Sequence, residues 1–127
     1  FFFETFRAER YEAHGIPAHF AQDSVSRSRH GVLRGLHFQW PGAQGKLVYV
    51  LEGEVFDVAV DVRRGSRTFR RWAGHTLSAE NRAQLWIPPG FAHGYCVPGP
   101  AGASLAYKMS TPYRHANEVV VRWDDGE

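Results

Sequence analysis

Residues 4–14, ETFRAERYEAH, contain no Gly or Pro and meet a stop at Gly15 and Pro17, which predicts a short helix near the start of the chain. Beyond it the apolar positions change period. Residues 19–28 alternate weakly, and residues 32–38 (VLRGLHF) form a short apolar run interrupted by Gly35. Residues 47–62 (LVYVLEGEVFDVAVDV) carry the strongest signal. Two β-rich runs join at Glu52-Gly53, and the second sets Val55, Asp57, Ala59 and Asp61 against Phe56, Val58, Val60 and Val62. Further strands are predicted within 68–78, 84–97, 104–110 and 118–124. Turn chemistry separates them at Arg64-Gly65-Ser66, Pro88-Pro89-Gly90 and Pro98-Gly99-Pro100. Some ~8 short strands spaced in this way predict a β-sandwich or barrel, because a flat open sheet would leave unpaired edges.

Composition narrows the class. At 127 residues, 43% hydrophobic and 22% charged, the chain fits one folded domain rather than a disordered segment. No apolar run approaches the ~18 residues a membrane span needs, so no membrane partner is expected. A single cysteine, Cys96, excludes an internal disulfide and agrees with a reducing compartment. The formal charge of +2 is mild, and no nucleic-acid partner is expected from it. The one basic cluster (Arg63, Arg64, Arg67, Arg70 and Arg71) reads as a solvated loop and strand edge. Thirteen of the fifteen basic residues are Arg, so Lys46 and Lys108 stand out; an ammonium is a compact charge suited to a reacting oxygen. FFFETF has neither the basic residues nor the small-residue cleavage site of a signal peptide, and reads as the interior of a longer protein.

Arg34 and His37 would fall on opposite faces of a regular strand, but a bulge at Gly35 lets them converge. Nine residues after His37, Lys46 opens the next strand. An imidazole suits a general base near neutrality, and an ammonium beside it stabilises an oxyanion. The same residues also fit a buried structural His beside a solvated Arg. His93, after the Pro88-Pro89-Gly90 turn, is either a site residue or a structural His at a strand end. Tyr107 and Tyr113 offer phenols that serve as acids or as core residues with satisfied hydroxyls. A β-barrel metal site wants two His two residues apart, yet Gln39 stands two after His37, and His14, His19, His30, His75, His93 and His115 form no such pair. No motif supports a Ser or Cys nucleophile, and no Gly-rich phosphate loop is present.

Taken in order, FFFETF, FAQDSVSRSRHGVLRGLHFQ, QGKLVYVLEGEVFDVAVDVRRGSRTF, LSAENRAQLWIPPGFAHG, YKMSTPY and VVVRWDD closely resemble the dTDP-4-dehydrorhamnose 3,5-epimerase family over essentially the whole chain. RGLH, QGKL, GEVFDVAVD and WIPPGFAHG at these spacings are the most specific pieces. The resemblance implies an all-β fold, a cupin-type jelly-roll sandwich or barrel with a short N-terminal helix. It implies a cytoplasmic homodimer that uses no metal or other cofactor. The implied substrate is a dTDP-linked 4-keto-6-deoxy sugar, dTDP-4-dehydro-6-deoxy-D-glucose, inverted at C3 and C5 to dTDP-4-dehydro-L-rhamnose. The C4 ketone acidifies the hydrogens on both carbons; a base removes one, an enolate forms, and an acid returns a proton to the opposite face. By the same resemblance His37 is the base, Tyr107 the acid, and Lys46 the group beside the ketone oxygen. Arg34 matches a diphosphate or sugar contact, and Gln22, Asp23 and Ser24 match the segment that contacts the nucleotide. His93 and Glu118 match further substrate contacts, Tyr113 an aromatic that stacks on thymine, and Glu4 a contact commonly made across a dimer. The basic cluster matches no family site.

Ser24 stands where the family usually has Asn. The resemblance also implies a sheet-forming segment before FFFE, with an Arg that helps bind the diphosphate. Beyond WDD it implies a tail with a Lys and an Asp, the Asp pairing with the catalytic His. Residues 1–127 are thus expected to form a single epimerase domain without those two segments, and neither Asp124 nor Asp125 stands for the tail Asp. Three other readings stay open: an epimerase acting at C3 or C5 alone, a nucleotide-sugar-binding cupin without turnover, and a metal-dependent cupin enzyme.

Overall fold

Strands form where the sequence alternates. The protein is described by a computed structural model covering residues 1–124. A short helix, α1 (Ala8–Glu12), precedes β1 (Gln22–Ser28), β2 (Leu33–Gln39), β3 (Lys46–Glu52), β4 (Glu54–Asp61) and β5 (Trp72–Ser78). Then follow β6 (Gln84–Ile87), β7 (Phe91–Cys96), β8 (Ala103–Met109), a 3-10 turn at His115–Asn117, and β9 (Glu118–Val120). The strands make two antiparallel sheets, one ordered β1-β8-β3-β6 and the other β5-β4-β7-β2-β9. This is the all-β, two-sheet architecture expected of a jelly roll.

Inward residues of both sheets meet in one core. Val48, Val50 and Leu105 from the four-stranded sheet pack with Val55, Leu77 and Tyr95 from the five-stranded one, all at most 8% exposed. Burying each of the aliphatic side chains contributes on the order of 1.5–3 kcal/mol. The core occupies one end of the sandwich. Toward the other end the inward positions turn polar: Lys46 opens β3 and Gln22 and Ser24 face inward from β1, whose polar alternation runs on through Ser26 to Ser28, buried opposite Ala103.

The helix is shorter than the predicted 4–14 because tertiary contacts claim the chain before it. The Thr5 carbonyl accepts hydrogen bonds from the Tyr11 hydroxyl (2.9 Å) and from Gln84 Nε2 (2.8 Å). Phe6 packs on Tyr11 and Phe20, with Lys108 Nζ 5.1 Å from the Phe6 ring centre. That docking holds 4–7 out of helical geometry.

In β4 the mainly apolar face (Phe56, Val58, Val60) is turned away from the core, and Val55, Asp57 and Asp61 are buried. The acids are tolerated because each is fully partnered. Asp61 accepts from the backbone N–H, Nε and Nη2 of Arg63 and from the hydroxyls of Ser66 and Thr68. Its carboxyl is held far below the usual carboxylate range, chiefly by Arg63. The predicted basic cluster is the exposed loop these bonds organise, and Arg63 stacks 4.9 Å from the Phe91 ring centre.

Candidate active site

The site begins with a break in strand regularity. Along β2, Arg34 pairs with Tyr95 and His37 with His93 of β7, and the register shifts between them. Gly35 makes this possible. Its φ is +108°, and a Cβ there would lie 2.6 Å from Gly94 Cα and 2.6 Å from the His93 carbonyl oxygen. Only a residue without a side chain permits that backbone approach. Arg34 and His37 then face the same cleft, as the sequence argument from Gly35 requires.

Opposite them stands the four-stranded sheet. Lys46 at the head of β3 lies across from Met109 of β8 and Ile87 of β6, and Tyr107 of β8 pairs with Ser24 of β1. Burial lowers the Lys46 ammonium from its usual pKa, while the carboxylates of Glu118 and Asp57 oppose that shift. Burial likewise lowers the His37 pKa; Glu118 opposes it, and Lys46, His93 and Arg34 add to it. A lowered imidazole pKa keeps His37 in its proton-accepting form near neutrality.

Two buried glutamines fasten the loop that closes the cleft. Gln39 Nε2 donates to the carbonyls of Gly42 (2.7 Å) and Pro112 (3.3 Å), and its Oε1 accepts from the Arg114 backbone N–H (2.9 Å). Gln44 Nε2 donates to the Thr111 carbonyl at 2.7 Å. The Tyr113 backbone N–H donates to Gln22 Oε1 at 2.8 Å. The loop so held presents Tyr113, whose hydroxyl donates to Glu118 Oε2 at 3.2 Å, while Glu118 Oε1 lies 3.8 Å from His37 Nδ1. Glu118 is thus the carboxylate beside His37 among the described residues. Behind His93 lies Asp57, with no exposed surface; its two carboxylate oxygens lie 2.9 and 2.8 Å from His93 Nε2.

The result is a cleft of about 310 Å³ between the sheets. It brings together Gln22, Ser24, Arg34, His37 and Lys46 with His93, Tyr107, Tyr113 and Glu118. His37 enters from the five-stranded sheet and Tyr107 from the four-stranded one. Two residues expected at the site are placed elsewhere. Asp23 falls on the outer face of β1, as strand alternation dictates, and pairs with Lys108 at 2.9 Å. Glu4 lies outside this cleft, held by Arg7 at 2.9 Å and Arg10 at 3.5 Å. Asp124 is bound to Arg122, and Asp125 is outside the described residues.

Sequence reasoning missed Ser26, Gln39, Gln44, Tyr95 and Met109, which also line the cleft, and Asp57 behind it. For Ser26 the signal was available: it continues the polar period-2 series of Gln22 and Ser24. No group of three or more His, Cys, Asp or Glu side chains among the described residues is arranged to hold a metal ion. Among them, too, no helix is long and apolar enough to cross a membrane.

Comparison with known proteins converges on one family. Residues 1–127 match the family described as dTDP-4-dehydrorhamnose 3,5-epimerase. A dTDP-4-dehydrorhamnose 3,5-epimerase of Neisseria gonorrhoeae is 55% identical over 125 residues, 98% of this chain and 38% of its own length. One from Pseudomonas aeruginosa is 52% identical over 128 residues, covering 100% of this chain and 70% of its own. The crystal structure of a dTDP-6-deoxy-D-glucose-3,5-epimerase from Legionella pneumophila, in complex with dTDP-4-keto-L-rhamnose, superposes with a TM-score of 0.93 at 54% identity. That match covers 98% of this chain and 66% of the Legionella chain, so the sequence spans about two-thirds or less of some of its relatives. The motifs RGLH, QGKL and WIPPGFAHG, the two-sheet fold and these matches agree: the chain belongs to the dTDP-4-dehydrorhamnose 3,5-epimerase family.

Proposed function

We propose that this chain carries the epimerase site of its family and acts on dTDP-4-dehydro-6-deoxy-D-glucose, inverting C3 and C5. The observation that carries the reading is the placement of His37 and Tyr107 on facing sheets of one cleft, with Lys46 between the same walls. At about 310 Å³ the cleft lies at the small end of the ~300–1,000 Å³ range of ligand pockets. In the reaction His37 takes the proton from the carbon beside the ketone. The C–H bonding pair moves into the enolate, whose charge gathers on O4. The Lys46 ammonium stabilises that oxyanion, and the Tyr107 hydroxyl gives a proton to the opposite face. Nothing is oxidised or reduced; His37 releases its proton to solvent and the Tyr107 phenolate takes one up before the same pair serves the second carbon. Proton transfer by one positioned group typically contributes about 10²–10⁴-fold, so oxyanion stabilisation and positioning supply much of the remainder.

Arg34, with its planar fork, is the candidate contact for the diphosphate, Gln22 and Ser24 for the nucleotide, Tyr113 for the thymine face, and His93 and Glu118 for the sugar. We further infer a homodimer in the cytoplasm. Glu4 lies outside the cleft of its own chain and is suited to contribute to a second copy's, and Val25 and Leu51 expose apolar surface on the outer face of the four-stranded sheet. Light scattering coupled to size exclusion tests that reading, and a monomeric mass contradicts it.

The reaction is tested by incubating the chain with dTDP-4-dehydro-6-deoxy-D-glucose in deuterium oxide and following the sugar by NMR. Deuterium at both C3 and C5 with formation of the rhamno-configured product is expected. Exchange at one carbon assigns a single-position epimerase. Binding of dTDP without exchange assigns a binding protein.

A further inference from the structure

Four inward positions of β1 (Gln22, Ser24, Ser26 and Ser28) are polar, and the last of them is the one a ligand is least able to reach. Ser28 is 3% exposed and does not line the cleft. A hydroxyl buried there needs a partner, and its partner is an arginine: Arg34 Nε donates to Ser28 Oγ at 2.9 Å. The Tyr95 hydroxyl lies 3.5 Å from the same oxygen and 2.7 Å from Ser26 Oγ. The contact joins the two sheets, because Ser28 belongs to β1 and Arg34 to β2.

Arginine presents five N–H donors in a rigid plane. Holding the single Nε–H sets the orientation of that plane and leaves the four donors of the two Nη groups for a ligand. No carboxylate among the described residues pairs with Arg34. Its side chain is otherwise exposed, so without Ser28 it would have many orientations to lose on binding. We propose that Ser28, steadied by the Tyr95 hydroxyl, is a positioning residue that fixes the Arg34 guanidinium with its Nη groups presented to the ligand's diphosphate. This rests on the reading of Arg34 as the diphosphate contact.

Isothermal titration of the full chain with dTDP and with inorganic pyrophosphate tests it, using Ser28→Ala, Ser28→Thr, Arg34→Lys and the Ser28→Ala/Arg34→Lys double variant. Ser28→Ala is expected to weaken dTDP binding about tenfold, the low end for losing a hydrogen bond to a charged group. Ser28→Thr keeps the hydroxyl and should bind within about threefold of the original chain. Lysine has no Nε–H fork to orient, so in the Arg34→Lys background Ser28→Ala should add less than about twofold. A purely structural serine would weaken binding equally in both backgrounds, and that result overturns the proposal. So does Ser28→Ala binding dTDP as tightly as the original chain. Ser28→Cys keeps the volume without a strong acceptor and supplies the same comparison where the alanine variant does not fold. Binding of pyrophosphate without dTDP refutes the nucleotide reading, and the Ser28 series then runs on pyrophosphate. Binding of neither ligand overturns the proposal.

Discussion

Replacing Gly35 by alanine separates the geometric account of the site from a generic destabilisation. At φ +108° any side chain is strained, a cost on the order of 1–3 kcal/mol. The new Cβ would also stand 2.6 Å from the Gly94 Cα and the His93 carbonyl oxygen, so β2 and β7 must part by about 0.8 Å to reach ordinary contact near 3.4 Å. The neighbouring ladder hydrogen bonds, each contributing about 0.5–1.5 kcal/mol net, weaken with that shift. Together these effects amount to about 3–5 kcal/mol, or a Tm lowered by roughly 10–20 °C in a domain of this size. Two other glycines calibrate the terms. Gly31 has φ +79° but open space around its Cβ position, so Gly31→Ala should cost only the backbone strain, about 1–2 kcal/mol. Gly99 has neither constraint, and Gly99→Ala should fall within about 0.5 kcal/mol of the original. Thermal and urea melts give the stabilities, and initial rates on the 4-keto sugar give the activity. Loss of rate should follow Gly35→Ala alone, because only that change moves His37 against His93. If Gly35→Ala melts together with Gly31→Ala and retains full rate, the convergence of Arg34 and His37 does not depend on the close approach at Gly35.

Three further outcomes follow from carboxylates in and beside the cleft and at the Arg63 loop. Removing the Glu118 charge (Glu118→Gln) takes away an influence that raises both His37 and Lys46, so both limbs of the kcat/KM–pH profile should move to lower pH; a shift upward contradicts the site electrostatics. Asp57→Ala leaves His93 buried without its partner and should cost about 3–5 kcal/mol in urea melts, whereas a loss under 1 kcal/mol would show that the pair contributes little. Asp61 has a folded pKa well below its unfolded value near 3.9. The stability it adds is therefore complete above about pH 4 and disappears as pH falls further. Asp61→Asn should accordingly lower Tm near neutrality and lose less than the original chain on acidification from pH 4 to 2.

Much of the fold and the site was legible because the residues that matter break local rules. Gly35 inside an apolar run signalled the bulge, and the Gln22, Ser24, Ser26 series is polar at the period of a strand whose inner face should be apolar. Lys46 stood out in an Arg-rich chain. The failures have physical causes too. Alternation in β4 defines two faces without saying which is inside, and the face with two carboxylates is buried because His93 and Arg63, distant and near in sequence, satisfy them. The helix shrank because Thr5 and Phe6 are claimed by Gln84, Tyr11 and Phe20, contacts no local propensity encodes. The family resemblance groups Asp23 with Gln22 and Ser24 as one segment, but a strand cannot turn three successive side chains to one face.

In the proposed reaction the imidazole of His37 and the phenol of Tyr107 work on one sugar from facing sheets. The most direct measurement is deuterium wash-in from solvent into dTDP-4-dehydro-6-deoxy-D-glucose, compared among the original chain, His37→Ala and Tyr107→Phe. The original should exchange at C3 and C5 with inversion, His37→Ala should exchange at neither carbon with dTDP affinity nearly unchanged, and Tyr107→Phe should retain some exchange with impaired inversion. Full exchange in His37→Ala would contradict the proposed reaction.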